Sequence, residues 1–191
     1  MSRKIMTKHV LVPIADGTEE MEAVIIIDVL RRAGAEVCVA SVMHEKTITA
    51  SRGVNIIADS LLREQEHKIW DLIALPGGMP GAERLGKDPR LKQILEHHLA
   101  GERLLGAICA APAVVLGRNQ LINNFTATCH PQFHDELEGQ VAVLSNERVV
   151  EDRFLITSQG PGTTFQFALL LAKHLFGEVK AQELARAMVV V

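Results

Sequence analysis

The 191 residues carry a formal charge of −3 and are 48% hydrophobic, the balance of a chain that buries a core and shows no excess of either sign. There is no basic block, so no dedicated nucleic-acid surface is expected, and no apolar run approaches the roughly 20 residues that span a bilayer, so no membrane insertion is expected either. The three cysteines, Cys38, Cys109 and Cys129, form neither a disulfide framework nor a CxxC metal pattern. Met1 to His9 lacks a signal peptide's apolar stretch and cleavage site, so the expectation is a reduced, cytoplasmic protein with a single domain over 1–191.

Val10 to Ala15 reads as a buried strand, followed by the turn Asp16-Gly17-Thr18 and a helix from Glu19 to Ala33 that Gly34 stops. Val37 to Val42 completes the spacing of a βαβ unit with parallel strands. Thr47 to Ala50 and Val54 to Ala58 flank Ser51-Arg52-Gly53 as a short antiparallel excursion. Asp71 to Leu75 is another apolar strand, ended by Pro76-Gly77-Gly78. The pattern then predicts a helix over Pro89 to Ala100, a strand running into Cys109 and a helix to about Gly117. Short strands are expected at Val141 to Leu144, Val149 to Glu151 and Phe154 to Thr157, with closing helices at Thr163 to Phe176 and Glu178 to Met188. Strands alternating with helices in this way predict an α/β fold, a mostly parallel sheet covered on both faces. Its ligand crevice should lie beyond the carboxyl ends of the strands, at the turns Asp16 to Glu22, Gly77 to Gly81, Cys109 to Pro112 and Gln159 to Gly162.

Cys109 stands where a strand ends and a helix begins, in Gly106-Ala107-Ile108-Cys109-Ala110-Ala111-Pro112. The positive end of the following helix is expected to lower its pKa and favour the thiolate, and the Ala110 N–H is free to approach a substrate oxygen. Position alone equally allows a buried small hydrophobe. Glu19 and Glu20 are accounted for by the helix N-terminus, whereas Glu22 points to another side, where a desolvated carboxyl near a thiol would have a raised pKa. Gly77-Gly78 is either a plain turn or a source of oxyanion-binding N–H groups, and it matches neither GxGxxG nor a phosphate loop. His130 is a loop imidazole, either solvated or a base, and Arg52 is either an exposed cation or an anion anchor. His97 and His98 show no metal-ligand arrangement; Cys38 reads as core and Cys129 is open.

Five segments in one order, Gly17-Thr18-Glu19-Glu20-Met21-Glu22, Ala50-Ser51-Arg52-Gly53, Leu75-Pro76-Gly77-Gly78, Ala107 to Pro112 and Thr157 to Thr163, resemble the DJ-1 branch of the DJ-1/ThiJ/PfpI superfamily. Within it the chain is most similar to bacterial YajL-like members. The resemblance implies a flavodoxin-like sandwich, a homodimer, and Cys109 as the cysteine of a strained nucleophile elbow. It implies Glu22 as the protonated partner, Gly78 and Ala110 as oxyanion-type donors, His130 as the nearby histidine, and Arg52 as the arginine reaching the neighbouring subunit's site. Ala110 replaces the histidine of the protease branch, so an adjacent Cys-His dyad is absent, and Ala50 stands where some relatives carry an interface cysteine. The implied activity is cofactor-independent and metal-free: processing of reactive 2-oxoaldehydes such as methylglyoxal, free or as glycated adducts. The alternative is a stress sensor or chaperone that works through oxidation of Cys109.

Overall fold

The computed structural model describes residues 7–190. Strand β1 (His9–Ile14) is buried from Val10 onward, as a strand covered on both faces must be. Helix α1 (Glu20–Ala33) is capped by Glu19, whose carboxylate accepts the Glu22 N–H at 2.8 Å, and ends at Gly34 in the left-handed region at φ 103°. Strand β2 (Glu36–Ser41) then lies parallel to β1. Strands β3 (Thr47–Thr49) and β4 (Asn55–Ile57) form the expected antiparallel hairpin, and β5 (Ser60–Leu61) extends the sheet beyond β2. Strand β6 (Leu72–Leu75), helices α2 (Gly81–Lys87) and α3 (Pro89–Ala100), and strand β7 (Leu104–Ile108) complete the first part. After β7 come a helix over Pro112–Gly117, β8 (Thr126–Ala127), α4 (His134–Glu138), β9 (Val143–Leu144), β10 (Val149–Asp152), β11 (Leu155–Ser158), α5 (Thr164–Phe176) and α6 (Glu178–Ala187).

The central sheet has seven strands in the order β10-β11-β7-β6-β1-β2-β5, and every pair is parallel except β10 with β11. On one face, Val10, Val12, Leu72 and Ile156 pack under α1, α5 and α6. On the other, Leu11, Ile73, Leu75 and Leu105 pack under α2, α3 and the Pro112–Gly117 helix. The chain passes from β1 to β2 on one side and reaches β6 on the other, so the strand order reverses at β1, the position where such sheets open a crevice.

Several features depart from the sequence expectations. The helix after Cys109 is wide and π-type: Arg118 N–H donates to Ala113 and Leu121 N–H to Leu116, each five residues back, at 3.0 Å. Asn119 Nδ2 occupies the Val115 carbonyl at 2.9 Å, the acceptor that an α-helical turn would give to the Asn119 N–H. Secondly, α2 was not anticipated, and Cys38 is half-buried beside Ser60 Oγ, at 3.4 Å, rather than core.

Candidate active site

The adjacent strands β11, β7, β6 and β1 all point the same way, so their carboxyl ends deliver four loops to one place. Those loops are stitched together by main-chain bonds. Glu19 N–H donates to Gly77 O at 3.0 Å, Cys109 N–H to Ser158 O at 2.9 Å, and His130 N–H to Cys109 O at 2.8 Å. Cys109 is held at φ 64°, a conformation that costs a non-glycine residue energy and turns its side chain out of the strand line toward the crevice. The turn against it must be glycine, because a Cβ on Gly77 would lie 2.6 Å from the Cys109 Cβ and 2.9 Å from the Ala110 nitrogen.

A cleft of about 340 Å³ opens over the cysteine. Glu19, Ser51, Arg52, Gly78, Cys109, Ala110 and His130 line it, with Met21, Met79 and Phe133 as apolar walls. Of the residues singled out in the sequence, Cys109, Arg52, Gly78, Ala110 and His130 therefore share one cleft, and Glu22 lies beneath it. Cys109 is 9% exposed and Glu22 has no exposed surface.

Glu22 Oε2 accepts the Gly77 N–H at 2.7 Å, while Oε1 is buried without a hydrogen-bond partner, and the carboxyl and the Cys109 thiol are close enough to shift each other's titration. Burial pushes the Glu22 carboxyl up to about 7 against the pull of the Gly77 and Cys109 hydrogen bonds, with Glu19 adding a small push. Burial first, and the charge of Glu22 second, raise the Cys109 thiol to about 12, and the Gly78 and Ala110 N–H groups draw it back. The expectation of a thiol acidified by the helix is thus not met, because desolvation outweighs the partial charge of a short helix end. The pair titrates as a unit. Protonation of Glu22 removes the charge that repels a thiolate and turns its carboxyl from an acceptor into a donor.

His130 sits in extended backbone with Nδ1 accepting the Gln132 N–H at 3.3 Å, which leaves Nε2 to carry the hydrogen of the neutral ring. Glu20, assigned in the sequence to the helix end alone, also accepts Ser51 Oγ–H and the Arg52 N–H, both at 2.7 Å. It ties the hairpin loop to α1 and sets Arg52 at the rim of the cleft. No short-range pattern announces that contact, since its partners are 31 and 32 residues apart. Met21 and Met79 fall within the turns expected at the crevice, whereas Gln132 and Phe133 lie outside them and join the cleft lining. Among the described residues no group of three His, Cys, Asp or Glu side chains is arranged to hold a metal ion.

Residues 8–174 match the DJ-1/PfpI family. The chain belongs to that family. Protein DJ-1 homolog A of Arabidopsis thaliana is 44% identical over 179 residues, which are 94% of this chain and 46% of that protein, so the chain spans about half the length of this relative. The glutathione-independent glyoxalase DJR-1.2 of Caenorhabditis elegans is 35% identical over 94% of each chain. The structure of oxidized Toxoplasma gondii DJ-1 superposes with a TM-score of 0.92 at 42% identity, covering 96% of this chain and 98% of that one. The fold is accordingly the flavodoxin-like α/β sandwich of DJ-1 proteins, with the cleft at its sheet reversal.

Proposed function

We propose that this DJ-1/PfpI protein converts reactive 2-oxoaldehydes to hydroxyacids without a cofactor. The observation that carries the reading is the buried Glu22 carboxyl, with Oε1 bare, against a cysteine held at a left-handed elbow. Transfer of the thiol proton to Glu22 makes the nucleophile. The sulfur adds to the aldehyde carbon of methylglyoxal, and the carbonyl electron pair moves to an oxygen that accepts from the Gly78 and Ala110 N–H groups and then takes a proton. Glu22, once deprotonated, removes the hydrogen from that carbon to give an enediol and returns a proton to the neighbouring carbon. The aldehyde carbon is thereby oxidised to a thioester as the ketone carbon is reduced to an alcohol, so no outside oxidant is consumed. Water cleaves the C–S bond, releasing lactate and the thiol, and His130 assists proton transfer at the cleft wall. Glycated amine and thiol adducts present the same carbonyl chemistry.

The name of the C. elegans relative supports this reading. A second reading is supported by the oxidized state of the T. gondii relative. In it, peroxide oxidises Cys109 to sulfenate and sulfinate, itself reduced to water, and the protein serves as a redox-responsive chaperone or sensor. Both readings place the protein in the cytoplasm as a homodimer, with Arg52 reaching across the subunit boundary. Lactate formation from methylglyoxal without glutathione or metal, by native protein and Cys109→Ser at matched folding, separates them. Cysteine-dependent turnover supports the first, and a folded but inactive native protein overturns it.

A further inference from the structure

A second cleft, of about 140 Å³, opens at the opposite end of the sheet. Trp70 and Arg103, which stand just before β6 and β7, line it together with Lys68 and with Arg90, Gln93 and His97 of α3. Arg103 is the fixed element. Its Nε donates to His98 Nδ1 at 3.3 Å, and its Nη2 donates to His97 O at 2.7 Å and lies 3.2 Å from His97 Nδ1. The guanidinium also packs against Gly101, where a Cβ would come 2.5 Å from Nη1. His98, 1% exposed, contacts Leu104 O through Nε2 at 2.8 Å, which assigns the hydrogen to Nε2 and leaves Nδ1 to receive Arg103. A guanidinium is thus oriented by neutral acceptors, with no carboxylate partner among the described residues.

The surrounding charges leave it uncancelled. Arg90 is paired with Asp88 through Nη2 at 2.7 Å and Nε at 3.3 Å, which spares its Nη1. Lys68 Nζ lies 4.5 Å over the Trp70 ring and only loosely near Glu36, at 4.0 Å. Glu66 is the one acid in the lining. In the same wall Trp70, 1% exposed, has an indole N–H without an acceptor.

We infer that this cleft binds a small phosphoryl-bearing anion, held by Arg103, Arg90, Lys68 and Gln93. The donors come from three chain segments, before β6, along α3 and before β7, and line one cleft. That arrangement serves the three free oxygens of a phosphoryl group better than the two coplanar oxygens of a carboxylate. The narrow cleft admits the head of such a ligand and lies at the far end of the sheet from Cys109, so it acts on stability by mass action and not on the chemistry of the thiol.

Trp70 is the sequence's one tryptophan and there is no tyrosine, so fluorescence excited at the indole reports from this cleft alone. The experiment titrates inorganic phosphate, and separately glycerol 3-phosphate, into native protein and into Cys109→Ala, against sodium chloride at matched ionic strength. Saturable quenching or enhancement is expected in both proteins. Arg103→Gln and the exposed-site change Lys68→Gln should each weaken it by about tenfold or more. Equal affinity for the two probes assigns the site to the free dianion, and tighter binding of the ester assigns it to a phosphorylated metabolite. A response that follows ionic strength equally in chloride, or that survives unchanged in folded Arg103→Gln and in Lys68→Gln, overturns the inference. Because Cys109→Ala is one arm, the outcome is independent of the proposed oxoaldehyde chemistry.

Discussion

Glu22 shows how one buried residue links stability to chemistry. Its carboxyl is raised from 4.5 to about 7, so between those values the native state keeps a proton that the unfolded chain has released. Stability therefore falls as pH rises through that window, and the full cost of ionising Glu22 in the fold, about 3 kcal/mol, is present above it. Glu22→Gln keeps an acceptor for the Gly77 N–H but never ionises. It should be more stable than native protein above pH 7, with the difference closing toward pH 4.5, and it should lose turnover because it cannot accept the proton. Urea unfolding across this range checks the first part, and a difference that does not change with pH would remove the linkage. The importance of Cys109 and Glu22 was legible in the sequence from the turn chemistry around them and from the five ordered motifs. The direction of the Cys109 shift was not, because desolvation depends on what the loops after β1, β6 and β11 place around the sulfur.

At the scale of elements, legibility followed length and composition. Helix α3 was readable to both ends because Pro89 suits the first turn and Asp88 precedes it as a cap. Asp88 accepts the Arg90 and Leu91 N–H groups at 2.9 and 3.0 Å from a position that is 8% exposed. Asp88→Ala should cost about 1–2 kcal/mol, and Asp88→Asn markedly less, as midpoint shifts in urea. Equal losses in the two variants would point to the Arg90 ion pair and not the cap. Helix α2 was hidden by its own glycines, which disfavour helix yet are required here. A Cβ on Gly81 would meet Thr18 N at 2.4 Å, and one on Gly86 would meet Val114 O at 2.7 Å. Strands of two residues, such as β5 and β8, are too short to show alternation. The π-type turn depends on where the Asn119 side chain bonds, which no periodicity records.

The whole molecule divides its sheet into a carboxyl end that holds the thiol cleft and an amino end that holds the cationic cleft. The parallel order followed from alternating strand and helix patterns, whereas the meeting of distant residues at each end could not be read from one segment at a time. Met21 and Val24, one turn apart on α1, are 55% and 50% exposed, and Glu20 ties that turn to the loop carrying Arg52. An apolar surface beside the cleft is what a subunit partner would cover. Sedimentation equilibrium should give twice the monomer mass, and Met21→Glu should lower it toward one chain; a native monomer at micromolar concentration would count against the homodimer and against Arg52 reaching a second site. The central claim is that Cys109 and Glu22 together isomerise a 2-oxoaldehyde by moving a proton between adjacent carbons. It is tested most directly by NMR of the lactate formed from methylglyoxal in heavy water by native protein without glutathione. Lactate carrying solvent deuterium at its second carbon is the predicted result. No lactate from folded native protein, or the same rate and deuterium incorporation in folded Glu22→Gln, would contradict it.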